Sequence, residues 1–256
     1  MIIDAHAHVS PTSYGSTENY LEQLRQGGIQ GGVVCPGGML DVRQFNAYIT
    51  GKSKPDVVPK NDYVDRSVRS NPALYGLVCV DPCAPDATEV AARYLKDGFR
   101  GLMVTPLVHK FSFGDDVMAP LASLCGEHEA PIYSHVAFRP GANTCDYVAL
   151  ARRFPRTPFI LEHMGAGHVD NEASAAAAEL DNLFLETSLS SYLQIVLSVK
   201  QAGASKVIFG SEYPLSHPAA ELQKVLLLPI SEGERDRILG GNIRALIRAE
   251  SASTNA

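Results

Sequence analysis

Eight short apolar runs punctuate this chain, at residues 2–8, 31–35, 74–81, 101–105, 131–136, 159–163, 183–187 and 206–210, and each is followed by a stretch able to form a helix. The runs are nearly continuous in hydrophobic residues rather than alternating, which suits strands buried on both faces, as in a parallel sheet. Helical periodicity is clear over 87–96, 120–129, 147–154, 189–202 and 232–249, and Gly28, Gly98 and Gly203 stand where helices should close. Eight β-then-α units predict an α/β fold over residues 1–250, a single (β/α)8 TIM barrel, with a small polar tail at 251–256 expected to be disordered. A doubly wound open sheet would more often bring a glycine-rich first turn, and the first turn here reads His6-Ala7-His8-Val9.

Composition narrows the partners. A net charge of −6 and a pI near 5.7 argue against nucleic acid and membrane surfaces. No stretch is long and apolar enough to span a bilayer, and the N-terminus lacks the pattern of a secretory signal. The five cysteines are odd in number and form no C-x-x-C pair, so reduced, mostly buried thiols of a cytoplasmic protein are expected. A small-molecule substrate is the remaining partner.

In such a barrel the active site forms at the C-terminal ends of the strands, so the polar residues that end the runs carry the functional reading. His6 and His8 are two residues apart on the first run and project from one face. Two imidazoles side by side make half of a transition-metal site. The fifth run ends in His135, the sixth in His163, and the eighth leads into Glu212. Any one of these histidines could be structural. Four of them with a carboxylate, at corresponding ends of four strands, point to a metal site.

His6-Ala7-His8, His135, His163 and Phe209-Gly210-Ser211-Glu212-Tyr213-Pro214 resemble the metal and catalytic positions of the amidohydrolase superfamily. The resemblance is closest to the amidohydrolase-related branch of small barrel hydrolases, lactonases and aminocarboxymuconate-semialdehyde-type decarboxylases. Ile238-Leu239-Gly240-Gly241-Asn242 is similar to that branch's asparagine-containing terminal helix. The resemblance implies one divalent ion, zinc first and manganese second, held by His6, His8 and His135, with Glu212 as fourth ligand or in contact with the metal-bound water. It further implies Glu212 as general base and then acid, and His163 as the residue that orients the water or polarises a substrate carbonyl. Where the family's eighth strand normally ends in Asp, this chain has Glu212, longer by one carbon–carbon bond of roughly 1.5 Å. The bridging Lys or Glu of binuclear members is missing from 101–106, which implies a mononuclear site and sets the chain apart from TatD-like DNases. A homodimer is the assembly usual for such barrels.

For substrate contacts, Arg139 after the fifth strand could hold a carboxylate in a bidentate fork. His109, His168, Tyr213 and His217 fall in loops expected near the mouth, and 39–61 is long enough to cover it. Only about twenty residues separate His8 from the second strand, whereas the decarboxylases tend to carry insertions there. The main expectation is therefore hydrolysis of an amide, ester or lactone of a small carboxylic-acid metabolite. The alternatives are non-oxidative decarboxylation of an aromatic or muconate-like acid, and a non-catalytic barrel.

Overall fold

Parallel strands pair in strict chain order: β1 (Ile3–Val9), β2 (Gly31–Pro36), β3 (Leu74–Cys79), β4 (Gly101–Met103), β5 (Ile132–Ser134), β6 (Phe159–Leu161), β7 (Leu183–Glu186) and β8 (Val207–Ile208). The computed structural model describes residues 1–249, so the tail at 251–256 lies outside the described residues. The segment after β8 returns to the first strand, where Ala5 N donates to Phe209 O at 2.9 Å and His8 N to Tyr213 O at 2.6 Å. Helices alternate with the strands, giving the (β/α)8 barrel expected. They are α1 (Thr17–Gln26), α2 (Phe45–Ile49), α3 (Asn61–Ser70), α4 (Ala87–Lys96), α5 (Met118–His128), α6 (Thr144–Arg153), α7 (Asn171–Glu179), α8 (Tyr192–Ala202), α9 (Pro218–Leu226), α10 (Glu232–Asp236) and α11 (Asn242–Leu246).

Local chemistry explains most boundaries. Ser16, Asp170 and Ser191 cap α1, α7 and α8 through side-chain oxygens, and Asn143 and Ser231 form capping boxes with Asp146 and Glu234. The terminal segment at 232–249 is not one helix, as its periodicity suggested: a π-helical turn over Arg237–Gly241 separates α10 from α11. Gly240 there packs directly on the Met1 carbonyl, leaving no room for a side chain. Asn242 donates to the carbonyls of Ala204 and Val207 and so pins the last helix to the base of β8. No described helix is long and apolar enough to cross a membrane.

The pleat sorts the strand residues into two cores. Val33, Cys35, Leu77, Cys79, Met103, Tyr133, Ile160 and Ile208 fill the barrel interior. Val34, Val78, Leu102, Ile132, Phe159, Leu161, Leu185 and Val207 face the helices. On β1 the inward residues begin as Ile3 and Ala5, yet Ala7 and Val9 belong to the outer core. The switch comes from a bulge: Asp4 pairs with Gly32 and Ala7 with Val34, so two residues of β1 stand opposite Val33. Past the bulge the even-numbered residues turn inward. Those residues are His6 and His8.

Candidate metal centre

The site is the top layer of the barrel interior. Counting two residues on from the last inward side chain of each strand leads from Tyr133 to His135 on β5, from Ile160 to Glu162 on β6 and from Ile208 to Gly210 on β8; on β7 the same step leads from Phe184, packed on the interior core, to Glu186. Gly210 carries no side chain, and the space it leaves is filled by the carboxylate of Glu186 and by His6. Two residues later the chain turns through a left-handed conformation at Glu212 (φ 61°), which brings this carboxylate back over the site. His163 does the same after β6 (φ 59°): it falls out of the pleat and returns across the mouth.

Fully buried His6 is the hub. Its Nδ1 lies 3.1 Å from Glu186 Oε2 and 3.0 Å from Glu212 Oε2; its Nε2 lies 3.1 Å from His8 Nε2 and 3.6 Å from Glu162 Oε1. His8 Nε2 is 3.4 Å from Glu212 Oε1, and its Nδ1 is 3.3 Å from both the Pro36 carbonyl and Cys35 Sγ. His135 reaches the cluster through Glu162, with Nδ1 at 3.5 Å from Oε2. His163 places Nδ1 at 3.2 Å from the Ser188 carbonyl, leaving Nε2 to face Glu212 Oε2 at 3.9 Å. Glu186 is held in turn by the backbone N–H and hydroxyl of Ser188. Asp4 accepts from Ser211 N, Ser211 Oγ, Tyr20 Oη and His6 N, which locks the bulge to the turn after β8 in a structural role.

The donor set fits a divalent ion on two grounds. With Nδ1–H of His6 directed at a carboxylate and Nδ1–H of His8 at a carbonyl, both Nε2 lone pairs face one another, an arrangement that needs a cation between or beside them. Their 3.1 Å separation, and the 3.4 Å from His8 to Glu212, are the spacings of neighbouring ligands around an ion bonded at about 2.0–2.2 Å. Secondly, Glu162 Oε1 and Oε2 and Glu212 Oε2 are buried without any hydrogen-bond partner among the described residues. Donor atoms of His6, His8 and Cys35, and of His6, His163 and Glu186, also lie within 4.8 Å of one another.

Without an ion, protons must balance these carboxylates. Burial pushes the His6 imidazole down, but Glu212 and Glu162 outweigh it and hold it well above the ordinary value. Burial likewise opposes a charged His8, and Cys35 and Glu212 raise it to about 10. Burial would raise the Glu212 carboxyl; His6, His8 and His163 lower it to about 2 instead, so it is ionised throughout the neutral range. The facing nitrogens therefore hold a proton that an entering ion must expel. We expect zinc or manganese affinity to rise with pH between 6 and 8, about tenfold per pH unit for each proton displaced. Titration calorimetry in two buffers of different ionisation enthalpy reads that number, and a pH-independent affinity would contradict the proton balance.

Above this layer lies a cavity of about 340 Å³, with His8, His135, His163 and Glu212 in its lining and walls that include Met39, Leu40, Leu107, Val108, Leu189 and Leu215. A more open cleft of about 440 Å³ between α3 and α4 contains none of the histidines. The structure thus brings together His6, His8, His135, His163 and Glu212. None of the five candidates for substrate contact, Arg139, His109, His168, Tyr213 and His217, lines the cavity. Arg139 donates to the carbonyls of Phe111 and Pro140. His109 is buried and bonds the Val57 carbonyl at 2.8 Å, tethering the long loop rather than facing substrate. Tyr213 is buried with its hydroxyl on the carbonyls of Tyr14 and Ser16. His217 is exposed and caps α9, accepting from Ala219 N. For Arg139, His109, Tyr213 and His217 a backbone group within reach claims the side chain. Of the long loop, Met39 and Leu40 do reach the cavity. Glu162, Glu186 and Cys35 were not anticipated; the first two were within reach of the pleat count, since each lies two residues past an inward-facing neighbour.

These features define a TIM barrel with a buried histidine–carboxylate cluster, of a chemistry that fits a metal ion, at the C-terminal ends of its strands. A family model described as amidohydrolase matches residues 3–249, and the chain belongs to the amidohydrolase family. Among solved structures it is similar to a 2,6-dihydroxybenzoate decarboxylase from Rhizobium (16% identity, TM-score 0.72, covering 96% of this chain and 98% of that one). It is also similar to a dihydroxybenzoic acid decarboxylase from a Polaromonas species with bound manganese and 2-nitroresorcinol (16%, TM-score 0.70, 98% of both chains). A third is a protein provisionally assigned as a 2-pyrone-4,6-dicarboxylic acid hydrolase from Pseudomonas putida (19%, TM-score 0.70, 98% of both). At these identities the likeness establishes the shared fold. A search of curated proteins found no match.

Proposed function

We propose that this protein is a metal-dependent, non-oxidative decarboxylase of a small aromatic acid bearing a single carboxylate. The cavity's composition carries the reading. Its walls are largely apolar, and among the described residues no lysine or arginine lines it. A substrate with several carboxylates would find no guanidinium to hold it, whereas one aromatic ring finds Met39, Leu40, Leu107 and Leu215, and its one carboxylate points at the floor. Apolar surroundings also favour a step in which carboxylate charge is dispersed as CO₂ leaves. The expectation of hydrolysis rested on the short segment after β1. Against it stand the solved structures similar to this chain, among them two decarboxylases of dihydroxybenzoic acids.

His6, His8, His135 and Glu212 would hold the ion, which when bound supplies a Lewis acid for the substrate's carboxylate and a neighbouring oxygen. His163 does the proton work. Its Nδ1 is engaged by the Ser188 carbonyl, which leaves Nε2 on the cavity side, 3.9 Å from Glu212 Oε2, and to this nitrogen we assign the transferred proton. Nε2 gives that proton to the ring carbon bearing the carboxylate. The carbon–carbon bond then breaks, its electron pair restores the ring, CO₂ departs, and water at the mouth reprotonates His163. The test is an assay of metal-loaded protein on hydroxybenzoic acids in D₂O. Expected are CO₂ release and one deuterium at the vacated carbon, lost on chelation and in His163→Asn. Cleavage of lactones or esters with no CO₂ from any aromatic acid would overturn the proposal in favour of a hydrolase.

A further inference from the structure

Glu162 poses a physical problem. Its side chain is fully buried at the end of β6, both carboxylate oxygens lack a hydrogen-bond partner among the described residues, and no lysine or arginine there pairs with it. A carboxylate so placed is tolerated only beside a cation. Its neighbours say where that cation sits. Oε1 is 3.6 Å from His6 Nε2, the nitrogen that also faces His8 Nε2, and Oε2 is 3.5 Å from His135 Nδ1. The other nitrogen of His135 is already engaged, accepting from Leu107 N at 3.4 Å and lying 3.3 Å from Thr105 Oγ1. Only Nδ1 is left for the site, and Glu162 stands between it and His6. Glu186, by contrast, is spent on His6 Nδ1 and Ser188.

We propose that Glu162 is itself a ligand of the ion, the member of the donor set contributed by β6, joining His6 and His8 to His135. With Glu212 it would supply two negative charges against the two positive charges of the ion. This rests on the metal dependence argued above but not on the reaction.

Zinc and manganese affinity by chelator competition, with thermal unfolding of the metal-free protein, tests it on wild type, Glu162→Gln, Glu162→Asp and, as control, His8→Ala. Glu162→Gln should weaken binding at least 100-fold while the metal-free protein stays folded, since His6 keeps Glu186 and Glu212 as partners. Glu162→Asp should recover most of the affinity, with a Co²⁺ absorption spectrum altered from wild type. If Glu162→Gln binds within threefold of wild type, or if Glu162→Asp leaves the cobalt spectrum and affinity unchanged when the glutamine variant does not fold, Glu162 is no ligand. If wild type binds no ion while folded, the metal-dependent reading itself fails, and that result is distinct from the loss of Glu162 alone.

Discussion

His6→Ala is expected to bind neither zinc nor manganese and to unfold well below the wild type. The imidazole is the hub of the site: its Nε2 faces His8 and Glu162, and its Nδ1 faces Glu186 and Glu212. Truncation removes a metal donor and also leaves Glu162 and Glu186, both fully buried, without the group that offsets their charge. Removing one partner of a buried ion pair costs about 3–5 kcal/mol. For a chain of this size each kcal/mol lowers Tm by roughly 2–4 °C, so a fall on the order of 6–20 °C is expected. Elemental analysis and calorimetric unfolding read the two effects. His8→Ala should lose the metal with a much smaller loss of stability, since His8 is only partly buried and its carboxylate neighbour Glu212 opens onto the cavity. One retained metal equivalent in His6→Ala would refute the placement of the ion.

Gly210→Ala is expected to weaken metal binding about 10–100-fold although the residue touches no ion. A Cβ at this position would collide with the Glu186 carboxylate and stand 3.0 Å from His6 Cβ. Glu186 must then swing away from His6 Nδ1, and the imidazole loses the acceptor that sets its tautomer and ring direction. The backbone φ of Gly210 is not in the left-handed region, so the added methyl acts through this contact alone. Overpacking of this kind typically costs about 1–3 kcal/mol in stability. Chelator competition and thermal unfolding measure both. Unchanged affinity would mean that Glu186 is not what orients His6.

Much of this architecture was legible in the amino-acid order because barrel strands write a local signal. Each is a short apolar run buried on both faces, and β1 to β8 fall within a residue or two of where those runs predict them. His6, His8 and His135 could be read from position alone, as polar groups at the ends of such runs. Glu162 was hidden by its neighbour: His163 is the more conspicuous residue, yet the pleat that sends Ile160 inward sends Glu162 inward too, while His163 reaches the mouth only through a left-handed backbone. The bulge in β1 was equally silent, since nothing in Ile3-Asp4-Ala5-His6 states that two residues will oppose one on β2.

The sequence by itself therefore determined the barrel, its strand order and the histidine pair at the top of the first strand, because hydrophobic periodicity and i, i+2 geometry act within a few residues. Only the tertiary structure decided which carboxylates surround His6, and that Arg139, His109, Tyr213 and His217 do not line the cavity. Those outcomes depend on which backbone carbonyl or neighbouring strand lies within hydrogen-bond reach, such as Val57 for His109, 52 residues distant in the chain. Proximity of that kind exists only once the barrel has closed.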